Sequence, residues 1–277
     1  MAVYQNYVRD RGAKLLLLAA IALITHTFYT IVVRPQAAAW ESEQRAIIAA
    51  NPGTTPERSL YVIIKDAEQE ATIIIAIWAL SLAGLRFYEL RQQRRLLDAD
   101  LMRMAPSLVI LPSDAREYLR SLEDLPQKQR DMVVPRVLRS ALKRFGTTGN
   151  AQDASTTVHN VSESELGRLD AELAILRFCV WAGPAIGFVG TVRGIGIALL
   201  GADLAVQGDS TAVTGGLGVS FNSTLVALLL SIVLMYVLYE IQLAQERLVL
   251  DTEHYAEEQL VNRLHTGGQA GGRAAAA

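Results

Sequence analysis

Thr191 and Thr224 each place a hydroxyl in the middle of a long apolar run, with Ser220 and Ser223 beside the second. A hydroxyl in such surroundings can hold a water, hand on a proton or help coordinate a dehydrated cation. A proton path can run on a threonine and a water, whereas a sodium site needs several oxygen ligands. A proton is therefore the expected ion, and sodium held by Thr191, Ser223 and Thr224 is the alternative. The bland alternative is that each threonine bonds its own i−4 carbonyl and does nothing more. Asn222 points away from Thr224 around a helix and is expected to bond a neighbouring helix.

Other polar residues stand out for where they occur. Arg193 falls inside an apolar segment, where an arginine costs about 2.5–3.5 kcal/mol on insertion scales. It is expected to act either as an interface anchor, paired with Glu68, Glu70 or Asp203, or as a fixed positive charge that gates an entrance or meets a partner chain. His26, between Thr25 and Thr27, is a proton relay or a satisfied packing residue. Tyr239 and Glu240 shape an exit or simply end a helix in water. No paired carboxylates, no nucleophile–base set and no metal-ligand spacing occur, so an enzyme is not expected, nor any cofactor. Cys179 is the one cysteine, which excludes an intramolecular disulfide, and a net charge of −2 leaves no basic excess for nucleic acid.

The elements that must position these groups are membrane helices. Apolar residues gather in four blocks, near 13–33, 71–88, 174–200 and 213–239, each close to the length that crosses a hydrocarbon layer of roughly 30 Å. The first is too long, and lacks a small-x-small site before Arg34-Pro35, to read as a cleaved signal peptide. In the third block Gly183, Gly187, Gly190, Thr191, Gly194, Ala198 and Gly201 recur at helical spacing. In the fourth, Gly216, Ser220, Ser223, Thr224, Ala227 and Ser231 do the same. Such small-residue stripes suit helices that pack backbone to backbone or line a narrow wet path. Pro184 is expected to break the third helix.

The expected fold class is an all-α polytopic membrane protein whose last two helices extend into the cytoplasm. Arg9, Arg11 and Lys14 precede the first span; Arg86, Arg91, Arg94 and Arg95 follow the second; and Lys143, Arg144, Arg168 and Arg177 approach the third. The positive-inside rule then puts both termini and residues 89–173 in the cytoplasm, with 34–70 and 201–212 outside. The chain accordingly divides into four segments: a hairpin over 1–88 with external loop 34–70, a cytoplasmic helical segment over 89–173, a helix pair over 174–240, and a cytoplasmic helix and low-complexity tail over 241–277. Within 34–70, Ala37–Ala50 is expected to be helical, Asn51-Pro52-Gly53 to turn, and 57–70 to run as a helix into the second span. Glu89–Met104 should extend that span, and Pro106, Pro112, Pro126 and Pro135 should divide the rest of the cytoplasmic segment into short helices. Ser113 is expected to cap the helix 114–123, and 146–160 to be flexible. Ser162-x-x-Glu165 should open a new helix as a capping box, leading into an apolar stripe of Leu166, Leu169, Leu173 and Leu176. No soluble domain stands out.

The run Gly183-Pro184-Ala185-Ile186-Gly187-Phe188-Val189-Gly190-Thr191-Val192-x-Gly194-Ile195 resembles the aP-x-x-G-x-x-GTV-x-GI pattern of the penultimate helix of the MotA/TolQ/ExbB ion-channel family. Gly216-Leu217 and Thr224 fall on the glycine, isoleucine and threonine of that family's last-helix pattern. The resemblance covers about 165–245 and departs from the pattern at named places. Ser220-Phe221 replaces Ala-Leu, and Ala227 replaces a glycine. Val219 stands where the ExbB and TolQ branches have a membrane glutamate, and Val233 where many members have proline. A nucleotide-loop reading of the same glycines fails for want of a strand before them or a lysine after.

The resemblance implies an ion-channel subunit of an inner-membrane motor that couples proton or sodium flow to mechanical work. It further implies a homo-pentamer around a dimer of a single-span ExbD/TolR/MotB-like partner, which would supply the missing carboxylate. Thr191 and Thr224, with Ser220 and Ser223, would line the ion path, and Gly183, Gly187, Gly190, Gly194 and Gly216 would pack the helices or face the pore. The competing function is a non-conducting membrane scaffold. Hydroxyls distinguish the two, since packing alone is served by glycine and alanine.

Overall fold

A computed structural model describes residues 2–51, 57, 59–97, 101 and 109–265. The expected turn at Pro52-Gly53, Met104, Pro106 and the low-complexity tail over 267–277 lie outside them. The described chain is helical, with one isolated bridge between Ile110 and Leu264. In chain order the helices are α1 (Ala2–Phe28), α2 (Arg34–Ala50), α3 (Leu60–Ile64), α4 (Ala67–Leu97), α5 (Ala115–Glu123), α6 (Gln127–Arg130), α7 (Val133–Thr148), α8 (Ala151–Glu172), α9 (Ala174–Leu200), α10 (Ala202–Val206) and α11 (Thr211–Gln259). Four helical runs are long and apolar enough to cross a membrane: Gly12–Ala50, Ala67–Leu97, Ala151–Leu200 and Thr211–Arg263. At 1.5 Å per residue, the 49 residues of α11 extend about 74 Å, more than twice a hydrocarbon layer.

The chain forms two compact units, Met1–Ala83 with Ile175–Leu238, and Gly84–Ala174 with Tyr239–Ala277. In the first, α1 does not end at Arg34-Pro35. A π turn over Tyr29–Val33 carries it into α2, with the Arg34 N–H donating to Tyr29 O. Pro35 has no N–H to donate, and the wider turn relieves the carbonyls its ring would crowd. The buried face runs through Tyr29, Val33 and Ala37. The expected helix over 57–70 is instead broken at Lys65-Asp66, between α3 and α4. Trp78 Nε1 donates to Lys14 O at 3.1 Å and ties α4 to α1.

Pro184 does not break α9, which runs unbroken from Ala174 to Leu200. Membrane helices tolerate proline where neighbouring groups satisfy the carbonyl it leaves free.

The second unit corrects three expectations. Residues 146–160 are helical apart from Gly149-Asn150. Gly149 sits at φ +63°, where glycine is favoured, and Asn150 Oδ1 accepts from Gln152 N at 2.9 Å to start α8. Ala154, Val158, Ser162, Glu165 and Leu169 recur at helical spacing on the buried face of α8, and burial of that face outweighs the polar composition. Ser162 and Glu165 are therefore interior to a helix and cap nothing. Asp114, not Ser113, precedes α5, and Ser113 Oγ donates to its carboxylate at 3.0 Å.

A core also exists where none stood out. Val137, Leu138, Ala141, Leu142 and Phe145 of α7 are fully or almost fully buried, as are Leu122 of α5 and Ile241, Leu248, Ala256 and Leu260 from the far end of the chain. An alternating chain of charges joins its helices: Arg136 to Glu165 (2.7 Å), Glu165 to Arg168 (2.8 Å), Arg168 to Glu172 (2.9 Å) and Glu172 to Arg86 (2.8 Å).

Candidate ion-path site

Helices α9 and α11 approach so closely that side chains cannot stand between them. A Cβ on Gly187 would come within 2.5 Å of Ala227 Cβ, and one on Gly183 within 2.6 Å of Ser231 Oγ. A Cβ on Gly190 would meet Ser223 Cβ at 2.5 Å, and one on Gly194 would lie 2.5 Å from Gly216 O. From the other side, a Cβ on Gly216 would meet Ala198 N at 2.5 Å. These five glycines are where the two backbones touch. Glycine at a membrane helix crossing allows this approach and lets dispersion and hydroxyl bonds hold the pair. By contrast Gly196, Gly215 and Gly218 have open space at the Cβ position.

The close crossing brings the two threonines together. Thr191 Oγ1 and Thr224 Oγ1 are directly bonded, a contact between hydroxyls of two helices. Each also reaches both carbonyls one turn back. Thr191 Oγ1 lies 3.2 Å from Gly187 O and 3.4 Å from Ser220 O, while Thr224 Oγ1 lies 3.3 Å from Ser220 O and 3.4 Å from Gly187 O. Four oxygens thus converge, with only two hydroxyl hydrogens among them, and spare lone pairs remain to accept a proton donor or ligate a cation. Both threonines are half-buried. Ser220 Oγ donates to Thr191 O at 2.9 Å and holds the crossing from behind.

Ser223 belongs to the packing rather than to this cluster. Its Oγ donates to Val219 O at 2.8 Å, and the residue is buried against Gly190. Adjacent residues on a helix point about 100° apart, so Ser223 and Thr224 do not converge on one ion. The oxygens beside the threonines are instead the Gly187 and Ser220 carbonyls.

Arg193 is not alone. Its Nε lies 2.6 Å from Glu68 Oε1 and its Nη2 2.7 Å from Glu68 Oε2, with Asp66 Oδ1 at 3.8 Å. Of the partners proposed from sequence Glu68 is the one that binds, and Asp66 is an unforeseen second. Glu70 belongs elsewhere: it accepts from Arg34 Nη2 at 2.7 Å and lies 2.6 Å from His26 Nδ1. His26 and Arg34 are eight residues apart, about 80° around a regular helix. The π turn between them takes back most of that angle, so both reach one carboxylate. Nothing in the local sequence marks the π turn except Pro35 following Arg34. Tyr239 is exposed and Glu240 half-buried.

No curated protein and no solved structure matches the chain. Four membrane-length helices and a channel-family match make it a multi-pass membrane protein. Residues 129–254, which take in both threonines and all five contact glycines, match the model of the MotA/TolQ/ExbB proton channel family.

Proposed function

We propose that this chain is the ion-conducting subunit of an inner-membrane motor, in which proton flow past Thr191 and Thr224 drives movement of a partner chain. The observation that carries the reading is the half-buried hydroxyl pair, set at a crossing of two helices. α9 and α11 place no acidic residue beside this pair, so the exchangeable carboxylate comes from a single-span ExbD/TolR/MotB-like partner. Five copies of this chain around two copies of that partner are the assembly expected for the family, with both termini in the cytoplasm. Sodium is the alternative ion, with the two threonine hydroxyls and the Gly187 and Ser220 carbonyls as its ligands.

The second reading is a non-conducting scaffold, and one observation favours it: the contact glycines are consumed by packing within a single chain. Thr224→Val separates the two. Valine keeps the shape and removes the hydroxyl, so a scaffold tolerates it. For the ion path, flux in vesicles containing the reconstituted complex should fall by an order of magnitude or more, about the effect of losing one or two hydrogen bonds to a charged group. Unchanged flux with an intact complex would refute the site.

A further inference from the structure

Past the apolar block that ends near residue 88, α4 continues to Leu97, and α11 continues past residue 239 beside it. Arg94 Nη2 lies 3.0 Å from Asp251 Oδ2, which fixes the register of the two helix ends. A cleft next to this pair is lined by Arg94 and Leu97 of α4 and by Asp251, His254, Tyr255 and Glu258 of α11. Residue numbers therefore rise together along both helices. That is the parallel arrangement expected of the second and fourth of four alternating spans.

One turn nearer the apolar blocks, the same register sets Arg91 level with Arg247. Arg91 precedes Arg94 by three residues and Arg247 precedes Asp251 by four, the spacings that keep side chains on one helix face. Both arginines are exposed, and among the described residues neither has a hydrogen-bond or ion-pair partner. Nearby in sequence, Asp251 is matched by Arg94 and Glu89 by Arg86, while Glu246 stands about 100° around the helix from Arg247. Two like charges thus share one exposed face with no anion of their own. Arg91 lies about 4.5 Å along the helix from the end of its apolar block. The headgroup layer on either side of the hydrocarbon is about 5–7 Å deep, so the pair falls within it. Tyr88, exposed at the end of the block, suits the same boundary.

We propose that Arg91 and Arg247 together hold the phosphate of an anionic phospholipid, bound across the ends of α4 and α11. The site depends on the membrane spans and not on the ion path. A guanidinium meets phosphate oxygens through two parallel hydrogen bonds, and two guanidiniums from neighbouring helices can take the phosphate from both sides. The negative charge between them replaces a repulsion by two attractions. It also ties the two helices together one turn from the Arg94–Asp251 pair. Depth selects a lipid over a soluble anion, because bilayer phosphates are concentrated at this level and anionic ones attract exposed arginines there.

The test titrates the full-length protein in detergent with phosphatidylglycerol or with phosphatidylcholine of the same chains, and counts retained lipid by native mass spectrometry. Phosphatidylglycerol should bind in preference. Arg91→Gln and Arg247→Gln should each weaken it about fivefold, the effect of one arginine at an anionic membrane surface. Both side chains are exposed, so an unchanged thermal melt is expected of either variant. Arg120→Gln, the same loss of charge at an exposed residue of α5, should leave lipid binding as it was. Wild-type binding of phosphatidylglycerol by both Arg91→Gln and Arg247→Gln would overturn the proposal. Equal weakening by Arg120→Gln would do so too, because net charge rather than this pair would then attract the lipid. Inorganic phosphate at the lipid's concentration should displace nothing; displacement would make this a soluble-anion site and sink the lipid assignment.

Discussion

At the scale of single residues, glycines that look equivalent in the sequence divide into two kinds. Gly194 and Gly196 are two positions apart on α9, yet a Cβ on the first would collide with the Ser220 side chain and the backbone of α11, and one on the second meets nothing. Gly194→Ala should destabilise the protein by about 1–3 kcal/mol, the usual result of overpacking a close contact. Gly196→Ala should be neutral or stabilise by up to about 1 kcal/mol, from helix propensity. Thermal unfolding in detergent reads both. The spacing of the glycine stripe was legible because a period near 3.6 is a property of sequence alone. The threonine pair was legible in the same way, since two patterned helices carried it. Glu68 beside Gly190 was only half legible. Its pairing with Arg193 was among the options, but its contact with α9 depends on a third helix whose register no motif records.

The π turn shows what an element adds beyond its residues. His26 and Arg34 belong to one helical run, and only the wider turn between them aims both at Glu70 of α4. That carboxylate is 8% exposed and carries two partners, so Glu70→Ala should lower stability by about 1.5–3 kcal/mol, the range for a hydrogen bond to a charged group. A fall in its unfolding temperature in detergent, with little further fall when His26→Ala or Arg34→Ala is added, would establish the shared anchor. The sequence hid this because a π turn has no residue signature strong enough to override an apolar periodicity. Pro184 misled in the opposite direction: proline forecasts a break in water, but α9 passes through it.

The whole molecule is organised by pairing distant stretches of chain. The core around Phe145 is completed by Ile241, Leu248 and Ala256, roughly a hundred residues later in the chain, which is why neither stretch alone reads as a domain. Phe145 is fully buried, and Phe145→Ala should cost about 3–5 kcal/mol, seen as early proteolysis or unfolding of the unit formed by 84–174 and 239–265. The polar composition of 146–160 suggested flexibility, but α8 is judged by its buried face, and that face was visible only against α7. Conduction of ions by this chain together with an acid-bearing partner is tested most directly by native mass spectrometry of the complex, purified gently from its own host. We expect five copies of this chain with two copies of a small single-span protein carrying a membrane carboxylate. A complex without any acid-bearing partner, or a ring of another size, would contradict the ion-path reading.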